Sequence, residues 1–283
     1  MSGQTSTVRR WQLGQRLRSL RERAGIEAKA AALEIEVSPA TMSKIETGRQ
    51  LVRPLYVKAL TTLYGADSVE RTALAALAVE AGQPEWFASR AKHIPDWFKL
   101  YLGYESAADE VRSYAVELVA GLLQTAEYAR AIATAGRPES DEDELAAMIG
   151  VRLQRQKRLT CVNPLSLQVI LNEAVLHRIV GGPEVMRAQL EHLVKLSRLP
   201  NITVRILPFS AGAHPAMTSA FSLLRFEACP GMNTAYLESG RGALYLDAAP
   251  DLARYNWVFD ELRGLALGPG KSRALLVRVA GQL

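Results

Sequence analysis

The chain has 283 residues, 48% of them hydrophobic, a formal net charge of +5 and two cysteines. That composition suits one large or two ordinary domains with real cores. It excludes a disulfide scaffold, a disordered polyelectrolyte and a helical membrane protein, because no apolar run approaches the eighteen or so residues of a span.

The opening Met1–Arg10 is polar and basic without an apolar core segment. It does not read as a secretion signal, and the expectation is a flexible arm whose Arg9 and Arg10 reach toward nucleic acid. Trp11–Ala24 places Leu13, Leu17 and Leu20 at helical spacing, and Gly25 stops it. Ala28–Ile35 is a short Ala-rich helix. Ser38 is then a good N-cap, with Pro39 at the first helical position, where its missing N–H costs nothing. Met42 and Ile45 share a face with Val37 before them, so that side packs inward. Ala40, Thr41, Ser43 and Lys44 are left for the outside. Gly48 ends this helix, and Arg49 and Arg53 follow. Pro54–Leu63 carries Val57, Leu60 and Leu63 on one face and closes at Gly65, and Val69–Ala81 is a fifth helix. A short capped helix ending in a basic turn suits the major groove of double-stranded DNA.

The charge agrees. Residues 1–65 hold eleven Lys/Arg against five Glu, an excess of +6 that exceeds the net charge of the whole chain. The remainder is close to neutral, so the basic footprint lies where phosphate contacts would need it.

Gly82-Gln83-Pro84 ends the helical region, and Trp86-Phe87 and Trp97-Phe98 anchor a connecting segment to a core. Beyond Glu105 the periodicity becomes mixed. Tyr114-Val116-Leu118, Leu165–Leu171, Ile202–Ile206, Phe221–Phe226, Thr234–Glu238 and Ala243–Leu246 read as strands, with Gly240-Arg241-Gly242 as a hairpin turn. Thr125–Ala135, Glu144–Leu159, Glu173–Ile179, Pro183–Arg198 and Leu252–Leu265 read as helices. Ser272–Ala280 fits either a helix or a strand. The expectation is a multidomain chain: an all-α, five-helix helix-turn-helix domain over 1–82, a connecting segment over 83–104, and an α+β domain over 105–283.

Leu13-Gly14-x-x-Leu17-Arg18-x-Leu20-Arg21, Gly25-Ile26, Val37-Ser38, Ile45-Glu46-x-Gly48-Arg49 and Leu63-Tyr64-Gly65 together resemble the Xre/Cro-type helix-turn-helix family, ungapped over roughly residues 11–65. The resemblance implies that Pro39, Ala40 and Lys44 face bases, while Thr41, Ser43 and Arg49 lie near phosphates, flanked by Ser38 and Arg53. It also implies a structural ion pair between Arg21 and Glu46. Two positions depart from the pattern. Ala28 stands where that family usually has Gln, and Glu36 where it usually has a left-handed Gly, at a cost of roughly 1–2 kcal/mol.

Gly121-Leu122-Leu123-Gln124-Thr125-x-x-Tyr128-Ala129, Arg152-x-x-Arg155-Gln156, Leu171-Asn172-Glu173-Ala174-x-Leu176, Gly181-Gly182, Gln189-Leu190 and Val204-x-x-Leu207-Pro208 resemble the C-terminal domain of the WhiJ-like actinobacterial regulators. This resemblance implies an antitoxin-like regulator working with a small protein encoded by a neighbouring gene. The functional expectation is a cytoplasmic, sequence-specific, homodimeric transcription regulator without cofactor or metal. Its C-terminal domain would sense that partner or a small-molecule effector. The alternative is an antitoxin-like protein-binding adaptor in which DNA binding is weak or secondary. A fused enzyme has only Glu173, His177 and His192 in its favour. Those residues lack H-E-x-x-H spacing, and a helix-surface pair is their ordinary explanation. No catalytic residue is therefore expected.

Overall fold

The computed structural model describes residues 7–283. Contacts divide the chain into two units: residues up to Ala91 together with Glu227–Met232, and Lys92–Phe226 together with Asn233–Leu283.

The first unit is all-α: α1 (Thr7–Arg23), α2 (Ala28–Glu34), α3 (Pro39–Glu46), α4 (Pro54–Leu63) and α5 (Ser68–Ala81). Helix α1 begins four residues earlier than the Leu spacing suggests. The expected arm is therefore corrected for Arg9 and Arg10, which lie in the helix, with Arg9 3.7 Å from Glu80. The rest of the arm, Met1–Ser6, lies outside the described residues. Leu13, Leu17, Ala31, Met42, Val57, Leu60 and Leu74 meet in one core, each nearly or wholly removed from solvent.

Helices α1 to α4 all end in the same way. The N–H two residues past the C-cap reaches back to the carbonyl five residues earlier: Ile26 to Arg21, Val37 to Ala32, Arg49 to Lys44 and Ala66 to Thr61. This closure needs a left-handed residue just past the cap. Gly25, Gly48 and Gly65 supply it at φ between 67° and 69°, and Glu36 supplies it at φ 54°. Glu36 is the one non-glycine with positive φ among the described residues.

The second unit is built on a six-stranded sheet of order β3-β2-β1-β4-β5-β6. The strands are β1 (Glu110–Ala115), β2 (Ser166–Asn172), β3 (Ile202–Leu207), β4 (Phe221–Arg225), β5 (Thr234–Ser239) and β6 (Gly242–Leu246). β1, β2 and β3 run parallel, joined through α7 (Ala126–Gly136), α8 (Glu142–Gln156), the single turn α9 (Ala174–His177) and α10 (Pro183–Leu196). β4, β5 and β6 add an antiparallel meander, β4 pairing with β1. Gly240-Arg241 forms the two-residue loop of the last hairpin, since Ser239 pairs with Gly242. Helix α6 (Asp96–Ala107) precedes β1, and α11 (Ala249–Leu265) and α12 (Pro269–Ala280) close the chain. The chain is thus an all-α domain followed by a mixed sheet with helices.

Side chains alternate across a strand, so the sheet has two different faces. One carries Tyr114, Ile170, Phe221, Leu223 and Ala235 against Val258, Phe259 and Leu262 of α11. The other carries Val111, Ser113 and Ala115 of β1 and Ser222 of β4.

Two sequence expectations are corrected here and one left open is decided. The alternation Tyr114-Val116-Leu118 does not continue as a strand. β1 stops at Ala115 because its last partners are Leu171 on one side and, one residue earlier, Phe221 on the other. The helix expected over Glu173–Ile179 shrinks to α9, since Arg178 is already extended and Gly181-Gly182 take positive φ. Ser272–Ala280 lies within α12, which buries Leu275, Leu276, Val279 and Ala280 at helical spacing behind Pro269 at its first turn.

Candidate nucleic-acid interface and C-terminal cavity

Helix α3 owes its start to local chemistry. The Ser38 hydroxyl accepts from the Thr41 N–H at 3.1 Å, and Pro39 follows in the first turn. Met42, Ile45 and Glu46 are buried, whereas Pro39, Ala40, Ser43 and Lys44 are exposed and Thr41 is half-buried. The predicted inward and outward faces are therefore the ones the helix presents.

Two glycines let α1 and α3 approach closely. A Cβ on Gly14 would stand 2.3 Å from the Ile45 carbonyl oxygen, and one on Gly48 2.4 Å from the Trp11 Cα. Beside this crossing, Arg21 of α1 forks onto Glu46 at 2.6 and 3.0 Å and gives a third bond, 2.9 Å, to the Ile26 carbonyl. The Glu46 carboxylate and burial act in opposite directions on the guanidinium, and the carboxylate prevails, holding Arg21 firmly charged. Helix α3 is thus clamped at its C-terminal end with its outer face bare. Lys44, Arg49 and Arg53 are exposed and make no side-chain bond or ion pair among the described residues. Ser38, Pro39, Ala40, Ser43, Lys44, Arg49 and Arg53 are exposed together around α3 and the turn after it. That surface combines small groups with exposed cations, the chemistry that groove and phosphate contacts use.

The second unit contains a cavity of about 590 Å³ on the Ser113 face of the sheet. It exists because the central strand pair carries small residues where valine or leucine would fill the space. Ser113 and Ser222 are registered opposite each other, with their hydroxyls 3.0 Å apart, and Ala115 is next on that face. Helices α6 and α8 and the loop 116–122 wall the cavity.

Of the C-terminal motif residues, Gly121, Leu122, Gln124, Arg152 and Arg155 line it. Gln124 is locked: its Nε2 donates to the Val119 carbonyl at 2.5 Å, and its own carbonyl accepts from Gln156 at 2.6 Å. Its Oε1 accepts from Arg152. Gln189, fully buried, accepts from the Thr125 N–H and donates to the Leu123 carbonyl. Arg155 forks onto Glu105 of α6 with two bonds of 2.7 Å, its guanidinium 5.3 Å from the Phe98 ring and 5.6 Å from the Tyr101 ring. Burial alone would weaken that cation, but Glu105 more than offsets it, and its proton affinity rises. Spacing could have exposed α6, for which no helix was expected: Phe98, Tyr101 and Glu105 recur at helical intervals.

Glu173, His177 and His192 do not assemble. Glu173 lies 3.6 Å from His177 and accepts from the Phe209 N–H, and His177 stacks on Phe209. His192 stands apart on α10. Among the described residues no cluster of three metal-binding side chains occurs, and no helix is long and apolar enough to cross a membrane.

A four-residue turn between α2 and a clamped α3, whose outer face is exposed with basic residues beside it, defines a helix-turn-helix domain of the kind found in DNA-binding regulators. A helix-turn-helix domain model matches residues 12–74. The family described as a domain of unknown function (DUF5753) matches residues 98–278, and the chain belongs to it. No curated protein and no solved structure matches the chain.

Proposed function

We propose that this protein is a sequence-specific transcription regulator of the Xre type, acting as a homodimer on double-stranded DNA. In this reading α3 lies in the major groove. Lys44 donates to guanine O6/N7, Pro39 and Ala40 contact bases through apolar surface, and Ser38, Thr41, Ser43, Arg49 and Arg53 lie along phosphates. Dimerisation follows because one such domain reads too few base pairs, and two-fold sites match two-fold proteins. The region 105–283, similar to the WhiJ-like regulators, senses a small-molecule effector or a small protein encoded by a neighbouring gene. The protein works in the cytoplasm.

The bare outer face of a clamped α3, with three unpartnered cations around it, carries this reading. To test it, duplexes retained by the full chain are selected from a random pool and then titrated with salt. Lys44→Ala should relax preference at one base pair, costing about 1–3 kcal/mol on the best duplex. Arg49→Ala should weaken all duplexes alike and lower the salt slope by about 1. Equal, salt-insensitive effects of the two changes would sink the assignment.

One local observation favours a second reading, an antitoxin-like adaptor with DNA binding secondary. Helix α2 opens on Glu27 and Ala28 without a side-chain cap. Neither side chain therefore offers phosphate an amide or a hydroxyl donor. Co-purification with the neighbouring gene product, together with no retention of any duplex, selects this reading instead.

A further inference from the structure

Helix α8 sends two arginines, Arg152 and Arg155, to the same cavity from positions three apart, which share a helix face. Their circumstances differ. Arg155 has its counter-ion: Glu105 takes its Nε and Nη2, and the Phe98 and Tyr101 rings lie 5.3 and 5.6 Å from it. Arg152 donates from Nη1 to Gln124 and has no other hydrogen-bond partner, and no carboxylate lies within 4 Å of it among the described residues. Burial, and then the neighbouring Arg155 charge, push its pKa down to about 10, so it remains cationic at neutral pH.

Glu238 and Glu105 attract the Arg152 charge, but less than burial and Arg155 oppose it, and no carboxylate on the cavity bonds to it. Glu105 is taken by Arg155, Glu117 pairs with Arg178, and Glu238 is exposed and accepts from the Tyr236 hydroxyl at 3.1 Å. Arg152 is also aimed. The Nε2 of Gln124 is bound to the Val119 carbonyl and its main-chain carbonyl to Gln156, so its Oε1 is held toward Arg152. The Nε–Nη2 edge is left over, and that edge matches the two oxygens of a carboxylate or phosphate. Tyr101 and Tyr236, their rings 4.3 Å apart, supply flat apolar wall. The volume falls in the range that encloses a whole small ligand.

We propose that this cavity binds a small organic anion, a carboxylate or phosphate on a planar apolar body, and that Arg152 holds its charge. The proposal rests on the reading that the C-terminal region senses a ligand, and it gives that ligand a chemical class.

The test is calorimetric titration of the full chain with 2-naphthoate, 2-naphthyl phosphate and the neutral isostere 2-naphthalenemethanol. At least one anion should bind ten times more tightly than the alcohol. Arg152→Gln should remove that advantage, Arg152→Lys should keep part of it, and Lys44→Ala should leave it unchanged. Ser113→Val, which narrows the cavity without touching the arginine, should weaken alcohol and anion together. Equal binding of anion and alcohol, insensitive to Arg152→Gln, overturns the anion assignment and leaves a ligand-sensing cavity. Loss of anion binding in Lys44→Ala overturns it by placing the anion on the α3 face. Binding of none of the three probes overturns it and removes support for small-ligand sensing as well.

Discussion

Both units contain a buried, bidentate arginine–glutamate fork, and the two forks stand in different company. Arg21–Glu46 sits in a filled helical core beside two helices that touch backbone to backbone at Gly14 and Gly48. Its side chains are 11% and 7% exposed, and the third guanidinium bond goes to main chain. Arg155–Glu105 is deeper, at 7% and 3%, and borders empty space. In the first unit the fork closes a joint. In the second it neutralises one of two adjacent arginines, and among the described residues no carboxylate pairs with the other. The same pair of residue types thus serves rigidity in one place and charge selection in the other.

The largest effect expected from breaking this comparison is on Glu105. Glu105→Ala strands a buried guanidinium beside two aromatic rings and should cost the second unit about 3–5 kcal/mol. Glu46→Ala should cost the first unit about 2–3 kcal/mol, because Arg21 keeps the Ile26 carbonyl and lies nearer to water. Two units need not unfold together, so hydrogen exchange under urea, resolved by peptide, reads each one separately. Equal losses would mean that the cavity beside Arg155 admits enough water to solvate it.

A smaller effect sharpens the picture of the first unit. Three of its four equivalent helix endings use glycine, and the ending between α2 and α3 uses Glu36. Glu36→Gly should stabilise that unit by about 0.5–1 kcal/mol, the relief of left-handed strain less the extra freedom of glycine when unfolded. Gly65→Ala should do the reverse and cost about 1 kcal/mol, since a Cβ there meets nothing and backbone strain alone acts. Both are read from the urea midpoint of the first unit. No change at Glu36 would show that its side chain earns a compensating contact.

The two units also differ in how much of them the sequence reveals. The helical unit is written locally: caps at Ser38 and Pro39, stops at Gly25, Gly48 and Gly65, and apolar spacing within each helix. Even the strained position, Glu36, is legible, through the resemblance to a family that usually has a left-handed glycine there. In the second unit the alternation that marks each strand is local, but pairing is not. Nothing in Tyr114-Val116-Leu118 says that both neighbours of β1 run out at Ala115. The cavity is less legible still. It depends on Ser113 meeting Ser222 across more than a hundred residues, and on Glu105, Gln124 and Arg152 arriving from three separate elements. Their motifs mark positions, whereas which arginine finds a carboxylate is settled only by packing.

The mildest expected difference between the units is in their response to acid. All four histidines, His93, His177, His192 and His214, belong to the second unit. Burial lowers the pKa of His192, with Lys195 adding to it, and burial lowers that of His214. The Nδ1 of His214 accepts from the Ala216 N–H at 3.3 Å, so protonating it would set two donors face to face. With folded values below the ordinary 6.5, both rings are neutral in either state above about pH 7, and they contribute nothing to the slope there. As pH falls through 6.5 the unfolded chain takes up protons that the folded unit refuses, so stability is lost down to the depressed folded values. The urea midpoint of the second unit should therefore drop between pH 7 and pH 5 while that of the first stays nearly level. His192→Gln combined with His214→Gln should flatten the drop. A first unit that weakens in parallel would show that carboxylates, which both units share, set the acid response, and the histidine account would fail.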